Sequence, residues 1–469
     1  MTSRVFSATG KAILAGGYLV LFPQYKAFVV ALSARMHALV QCVTETTEKG
    51  TFRISVNSPQ FENGSWSYAV NIRDLVKDQL HHQLVEKDGK RNPFVEATVL
   101  TVLSYAIGAN VLSPESLGKN INITMFSDAE YHSQDNSVAK SSTNGAYKFL
   151  YHEAEITKVN KTGLGSSAGL VTSLTAALLA SIFNTFDIKN VELKWKEKVH
   201  NLAQVAHCKA QGKIGSGFDV ASATFGSIIY QRFEAKLINN ILDSTDDTFI
   251  KLVTLVDNQD WNMTHEQCSL PPGIRLLMGD VKGGSETPKM VSKVLEWKNG
   301  NPERAAEVWT KLNASNMKLI DALQSLEALS KANKDEYNHL LSLIATKSST
   351  EVREAGDMAQ FKDVVTSIAD IRNCLQIMTS ETGASIEPQS QTQLIDAVAS
   401  IKGVLGGVVP GAGGYDAICM LVASAKVDDI VATTREDTQR YSNVRWMDLT
   451  EQRDGLIEES PADFNGLLH

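Results

Sequence analysis

A run of small residues near the middle of the chain constrains its fold and function more than any other segment. Two glycines let the backbone turn sharply and approach a ligand closely, and two serines add hydroxyl groups. Apolar residues then recur at helical spacing from Leu170 to Ile182. The run comprises Lys161, Thr162, Gly163, Leu164, Gly165, Ser166, Ser167, Ala168 and Gly169.

The start of such a helix is suited to an anion. Its first turn leaves several amide N–H groups unpaired and carries about half a positive charge. A glycine loop, two hydroxyls and this positive end together favour a nucleotide phosphate with its magnesium ion. A plain turn followed by a serine-capped helix is the alternative, and it usually explains a bare Gly-x-Gly.

Two better-known phosphate motifs do not fit the sequence. The Walker A motif requires Gly-x4-Gly-Lys followed by Ser or Thr. The Gly-Lys pairs of this chain, which begin at Gly10, Gly89, Gly118 and Gly212, are followed by other residue types. A dinucleotide-binding fingerprint follows an early strand and has a third glycine, whereas this run lies mid-chain and lacks that glycine.

The segment 161–169 resembles the phosphate loop of the GHMP kinases, the family of galacto-, homoserine, mevalonate and phosphomevalonate kinases. Segments 9–18 and 410–417 resemble two other motifs of this family and occur in the right order. The details are most similar to the fungal and plant type of phosphomevalonate kinase. Those details stand at residues 15–21, 213–219 and 284–287.

The resemblance implies an α+β fold of two lobes with the active site in the cleft between them. The N-terminal lobe, 1–240, should resemble ribosomal protein S5 domain 2, and the C-terminal lobe, 270–469, should be ferredoxin-like. The implied reaction is ATP-dependent phosphorylation of (R)-5-phosphomevalonate to (R)-5-diphosphomevalonate with release of ADP, in the mevalonate route to isoprenoids and sterols. Mevalonate or homoserine kinase activity is the alternative, and a non-catalytic metabolite-binding protein is a distant one.

The residue pattern alone predicts mixed strands and helices and does not choose between α+β and a layered α/β fold. Polar residues 128–147 predict an exposed loop, and a composition change over 236–272 predicts a boundary between lobes. Apolar runs predict strands at 27–32, 38–43, 120–126, 149–156, 274–280, 385–387 and 417–422. Helical spacing predicts helices at 92–107, 193–211, 303–326, 361–378 and 391–401.

Composition argues against several classes of protein. The 469 residues suit two or three structural units, and the net charge of −8 argues against non-specific nucleic-acid binding. Five cysteines without CxxC spacing indicate neither a disulfide framework nor a zinc site, so reduced thiols and a cytoplasmic location are expected. Neither a membrane span nor a signal peptide is predicted. The sequence leaves monomer and homodimer open.

Lys11 and Asp219 are the expected catalytic residues. Phosphoryl transfer needs charge neutralisation, and Lys11 lies in the segment that matches the first family motif, so its cation should lie between the phosphates. The acceptor is a phosphate monoester with a second pKa of about 6, so it is already an anion. Asp219 is therefore expected to orient Lys11 or the metal. The family usually has Pro where Thr9 stands, which affects only the backbone.

Magnesium is the expected cofactor, with ATP as co-substrate. Mg²⁺ prefers oxygen ligands and keeps several waters, which makes Ser166 and Ser167 the candidate ligands. Mevalonate kinases also use a glutamate before the aspartate motif, where this chain has Cys208 beside His207, which we expect to be a packed histidine. By resemblance, ATP is bound by Lys161, Gly163, Leu164, Gly165, Ser166, Ser167 and Ala168.

The acceptor side has five candidate residues. Ser285 and Thr287 lie between a predicted strand and helix, where an anion site and a simple helix cap are equally good explanations. Arg372 lies on the apolar stripe of its helix and needs a partner, either an internal carboxylate or the substrate phosphate. Tyr18 and Ser216 are candidates by resemblance.

Overall fold

The first lobe is built on a sheet of eight strands. The computed structural model describes residues 3–84, 86, 91–244, 247–283, 287–356 and 358–467. The strands of this sheet are β1 (Arg4–Ala15), β2 (Lys26–Lys49), β3 (Thr51–Asn57), β4 (Ser65–Asn71), β5 (Leu117–Ser127), β8 (Ile228–Gln231), β9 (Thr264–Gln267) and β14 (Ile457–Glu459). Their order is β14-β1-β2-β5-β3-β4, with β8 beside β2 and β9 beside β8. All pairs are antiparallel except β3 with β5.

Helices pack against this sheet and bury its apolar face. They are α1 (Ile72–Asp78), α2 (Pro93–Gly108), α3 (Ser166–Ile182), α4 (Trp195–Gln211), α5 (Phe218–Phe225), α6 (Lys236–Leu242) and α7 (Thr248–Val253). A separate hairpin pairs β6 (Ser137–Ser141) with β7 (Lys148–His152). The small residues of α3 let it lie directly on β1 and β2, since a Cβ on Gly169 would lie 2.8 Å from the Cγ atom of Met36.

The second lobe has a four-stranded antiparallel sheet in the order β11-β12-β10-β13. Its strands are β10 (Ile274–Val281), β11 (Val404–Val408), β12 (Ala417–Ala423) and β13 (Val444–Met447). Its helices are α8 (Thr287–Gly300), α9 (Pro302–Ala332), α10 (Lys334–Ile344), α11 (Ser349–Glu354), α12 (Ala359–Thr382), α13 (Gln389–Ala399), α14 (Val427–Glu436) and α15 (Thr438–Tyr441). This order of strands and crossovers is that of a ferredoxin-like domain, as expected.

The chain returns to the first lobe at its C-terminal end. Strand β14 pairs with β1, and Phe464 and Leu467 are buried beside Phe126 and Phe149 of that lobe. The division into 1–240 and 270–469 stays a prediction: β14 lies in the second range but pairs with β1, whereas β9, which pairs with β8 of the first sheet, lies between the two ranges. The sequence pattern does not predict this return, because β14 has only three residues and is too short to show a strand periodicity.

Three local predictions were wrong. The two strands expected at 27–32 and 38–43 are one continuous strand, β2, because its bends are bulges rather than turns. No strand forms at 385–387, where the chain only bends. The segment 128–147 is only partly an exposed loop, because Tyr131 and His132 are buried and β6 begins at Ser137.

Candidate active site

The glycine loop before α3 has the geometry of an anion site. Gly163 and Gly165 have φ values of +77° and +84°, a region that favours glycine, and Gly165 caps the helix that begins at Ser166. Thr162 anchors the loop, since its backbone N–H donates to the carbonyl of Tyr131 at 3.2 Å. The half-buried Ser166 and Ser167 thus stand at the positive end of a 17-residue helix.

Lys11 lies against this loop from β1. Its backbone N–H donates to the Leu164 carbonyl at 3.0 Å, and its ammonium group donates to the Gly163 carbonyl at 2.9 Å. The ammonium also lies 5.5 Å from the centroid of the Phe218 ring. Burial lowers the pKa of Lys11 from its usual value, and the nearby carboxylate of Asp219 partly offsets this shift. The cation is therefore held at the mouth of the phosphate loop.

Asp219 is connected to the phosphate loop through a histidine. It lies in the first turn of α5, after Gly217 with φ +82°, and its side chain is 22% exposed. His207 Nε2 lies 3.1 Å from the Ser167 hydroxyl and 4.0 Å from the Asp219 carboxylate. His207 is buried, as expected, but it also joins the two predicted site residues. Sequence reasoning missed this role because a histidine on a helix face gives no indication of its neighbours.

The oxygen donors present fit a magnesium ion. The hydroxyls of Ser166 and Ser167 and the carboxylate of Asp219 supply hard oxygen ligands, and Mg²⁺ commonly takes few ligands from the protein and the rest from phosphates and water. Cys208 is buried with its sulfur accepting from Gln204 at 3.2 Å, so it does not replace a carboxylate ligand. Across the described residues, no cluster of three His, Cys, Asp or Glu side chains could hold a metal.

Of the residues predicted to bind the acceptor, the structure describes the side chains of some but not of others. Tyr18 is buried with φ +62°, and its hydroxyl donates to the Ala412 carbonyl at 2.6 Å, which joins the first motif to the glycine loop of the second lobe. Ser216 is half-buried, and its carbonyl accepts from the Tyr230 hydroxyl at 2.9 Å. Ser285 lies outside the described residues. Thr287 begins α8, but its side chain also lies outside them.

Arg372 has an internal carboxylate as its partner. Its guanidinium donates twice to Glu387, at 2.7 and 3.1 Å, and once to Asp396 at 2.6 Å. The side chain of Glu387 is fully buried, so this ion pair belongs to the packing of α12 against α13. Of the two partners open to Arg372, the structure shows the internal one, and its role in substrate binding stays a prediction that the geometry does not support.

A pocket of about 280 Å³ adjoins the phosphate loop. Its walls are apolar and aromatic, and its rim is polar, which is the usual character of a small-molecule site. Sequence reasoning missed this pocket, because its lining comes from segments far apart in the chain. The lining includes Met36, Trp66, Asn92, Phe94, His132, Ile156, Thr157, Lys161, Ser166, Ser167 and Leu170.

Comparison with known proteins shows what this chain is similar to. Residues 139–227, which include the phosphate loop and Asp219, match the model of the GHMP kinases N-terminal domain. The Candida albicans protein named phosphomevalonate kinase is 43% identical over 472 residues, covering 99% of this chain and all of that one. The Arabidopsis thaliana protein named peroxisomal phosphomevalonate kinase is 31% identical and covers 88% of each chain.

Solved structures share the fold. A Lin0012 protein from Listeria innocua superposes with a TM-score of 0.67 at 17% identity, covering 98% of this chain and all of the other. Streptococcus pneumoniae phosphomevalonate kinase, solved with phosphomevalonate and AMPPNP, gives a TM-score of 0.59 at 16% identity, covering 96% and 100%. The sequence relatives, one of them matched over nearly its whole length, show that the chain belongs to the phosphomevalonate kinases of the GHMP kinase family.

Proposed function

We propose that this chain transfers the γ-phosphoryl group of ATP to the phosphate of (R)-5-phosphomevalonate, giving (R)-5-diphosphomevalonate and ADP in the mevalonate route to isoprenoids and sterols. One observation supports this most: the Lys11 ammonium lies against the phosphate loop while facing the charge of Asp219. Two phosphate groups can approach each other only where such a cation offsets their repulsion. The names of the relatives point to the same acceptor.

The nucleotide is expected to bind across the phosphate loop and the adjoining pocket. Its phosphates would accept from the amide groups at the start of α3, with Lys161 at the rim of the pocket. The base would lie between apolar and aromatic side chains, Trp66 and Phe94 among them. This placement points the γ-phosphate toward Lys11 and leaves Gly163, Leu164, Gly165 and Ala168 as backbone contacts.

In this proposal Asp219 stabilises the charge of Lys11 and helps to position the groups around the phosphates. The acceptor phosphate is an anion at neutral pH, because its second pKa is about 6, so a general base is not required. The carboxylate of Asp219 instead helps Lys11 to stay protonated against the effect of burial. Through His207 it is also linked to the Ser167 hydroxyl. Bound magnesium would supply charge neutralisation for the phosphates, held by Ser166, Ser167 and Asp219.

The acceptor is assigned to the cleft between the lobes, where Tyr18 and Ser216 lie and where α8 begins at Thr287. Cys208 stands where mevalonate kinases have a metal-binding glutamate, and this difference supports a phosphorylated acceptor over mevalonate. Homoserine and mevalonate kinase activities are the competing possibilities. A metabolite-binding protein without turnover is less well supported, because Lys11 and Asp219 are both in place.

The cellular location and the partners of the protein are also part of the proposal. We place it in the cytoplasm, supported by its free cysteines Cys208, Cys268, Cys374 and Cys419. The Arabidopsis relative carries a peroxisomal name, so this proposal applies to the present chain only. No helix in the described ranges is long and apolar enough to cross a membrane. Neither nucleic-acid nor membrane partners are proposed, and the protein is expected to be a monomer or a homodimer.

A coupled assay of ADP release tests the proposal. Purified protein with Mg²⁺ and ATP is supplied in turn with phosphomevalonate, mevalonate and homoserine, and only phosphomevalonate should give rapid turnover. Lys11→Met should lower kcat by about 10²- to 10³-fold, as loss of a transition-state cation does. The matched variant Lys140→Met, an exposed lysine of β6, should leave activity unchanged. Turnover of mevalonate or homoserine instead would refute the assigned acceptor.

A further inference from the structure

Arg232 is a buried arginine next to the acceptor side of the cleft, outside every motif discussed so far. It follows β8, and only 8% of it is exposed. Its guanidinium donates to three backbone carbonyls, those of Leu21 at 2.5 Å, Gly215 at 2.7 Å and Ile214 at 3.3 Å. These carbonyls belong to two different loops.

Both loops carry residues of the proposed acceptor site. Leu21 ends the short helix Leu19–Leu21 that directly follows Tyr18, and Gly215 directly precedes Ser216. The neighbouring side chain of Tyr230 reinforces the second contact, since its hydroxyl donates to the Ser216 carbonyl. Arg232 therefore fixes the separation of the loop that carries Tyr18 from the loop that leads to Asp219.

The charge of Arg232 has no directly paired counter-ion in the described part of the chain. No carboxylate there forms an ion pair with it, and its Nε atom is buried without a hydrogen-bond partner. Glu234, two residues along, has an exposed side chain and forms no ion pair, although its charge partly offsets the lowering of the Arg232 pKa by burial. A buried cation is costly unless it is paired. Carbonyl dipoles offset part of that cost, and a nearby anion would offset more.

We propose that Arg232 is a positioning residue for the acceptor, and that its unpaired charge favours a phosphorylated acceptor over an unphosphorylated one. This inference rests on the proposed function. The three carbonyl contacts set the shape of the acceptor site, and the unpaired charge attracts the acceptor phosphate across the two loops. ATP binds on the other side of Lys11, at the start of α3, and is affected much less.

The test is Arg232→Gln, assayed against Arg35→Gln as a matched control. Arg35 is 7% exposed and also donates to backbone carbonyls, but those of Ser7 and Gly455 belong to neither of the two loops that carry Tyr18 and Ser216. Arg232→Gln should raise the KM for phosphomevalonate about tenfold while the KM for ATP changes less than about twofold. Arg35→Gln should lower thermal stability and leave both KM values unchanged.

Three readouts keep the inference separate from the proposed function. Phosphomevalonate alone should raise the Tm of the wild type, and this rise should be lost in Arg232→Gln, whether or not turnover occurs. Equal increases in both KM values, or an unchanged KM for phosphomevalonate in a folded variant, would overturn the inference. If the glutamine variant does not fold, Arg232→Lys replaces it, because lysine keeps the charge but cannot donate to all three carbonyls in the guanidinium geometry. The KM of this variant for phosphomevalonate should rise without any rise in its KM for ATP. A parallel rise there would equally overturn it.

Discussion

A Cβ atom placed on Gly165 would lie 3.1 Å from the Cε atom of Lys11. The other positive-φ glycine of the loop, Gly163, would meet nothing within 4 Å. The two glycines thus share one backbone requirement but differ in what surrounds them. Only Gly165 leaves space that the Lys11 side chain occupies.

Substitution of these two glycines by alanine separates the effect of backbone strain on stability from the effect of the Lys11 position on kcat. Both Gly163→Ala and Gly165→Ala should lower the free energy of unfolding by about 1–2 kcal/mol, because alanine is strained at positive φ. Only Gly165→Ala should also displace Lys11 and lower kcat by at least about tenfold. Urea unfolding and the ADP assay measure the two effects. Equal losses of kcat in both variants would contradict the assigned position of Lys11.

The alkaline limit of activity should depend on Asp219. Burial lowers the pKa of Lys11, and Asp219 partly offsets that shift. Catalysis needs the protonated amine, so kcat/KM should fall as pH rises through this lowered pKa. Asp219→Asn removes the offset, so the alkaline limb of the kcat/KM profile should move to lower pH. Asp135→Asn, an exposed loop substitution, should leave the limb in place. An unmoved limb in Asp219→Asn would show that the carboxylate does not act on Lys11.

A buried ion pair should make stability depend on pH in a different region of the protein. Fully buried His37 lies 2.8 Å from Glu459 and 3.2 Å from Asp128. Burial alone would lower the pKa of His37, but the two carboxylates outweigh it and raise the pKa to about 9. This contribution is fully present below the ordinary value of 6.5, and it is lost as pH rises through about 9.

His37→Gln tests that contribution. The variant should be less stable than the wild type by about 3 kcal/mol at pH 6, because two carboxylates lose their cation. The difference should shrink as pH rises toward 10, when the wild-type imidazole is also neutral. Urea unfolding at several pH values measures it, with exposed His339→Gln as the control. A difference that does not change with pH would contradict the charged pair.

A substitution at the rim of the pocket beside the phosphate loop tests whether the nucleotide base binds there. Thr157 is exposed and lines the pocket, so Thr157→Trp should fill it and raise the KM for ATP about tenfold without disturbing the core. Lys158→Trp is the control, because Lys158 is exposed and outside the lining. The KM for phosphomevalonate should change little in either variant. An unchanged KM for ATP in Thr157→Trp would place the base elsewhere.

The sequence predicted those features that depend on neighbours along the chain. The glycine loop and the helix start at Ser166 follow from local backbone chemistry, and the family motifs brought Lys11 and Asp219 to the same place. The two-lobed fold was also predicted correctly. Each family motif is itself a local pattern, and the three motifs together are spread along most of the chain.

Features formed by distant segments were not predicted. The link from Ser167 through His207 to Asp219 joins three helices, and nothing in the spacing of their residues indicates it. Arg372 stood on an apolar stripe whichever partner it had, so only the structure distinguished Glu387 from a substrate phosphate. Arg232 was missed because its partners are backbone carbonyls, which carry no sequence signal.

The central claim is that the Lys11 cation promotes transfer from ATP to a phosphate group rather than to an alcohol. ³¹P NMR of the product, after separation from ATP and ADP, measures this directly, because a diphosphate ester gives two coupled resonances and a phosphate monoester gives one. We expect these resonances to grow in step with ADP for the wild type and to be nearly absent for Lys11→Met. ADP formation with only monoester resonances, or equal diphosphate formation by Lys11→Met, would contradict the claim.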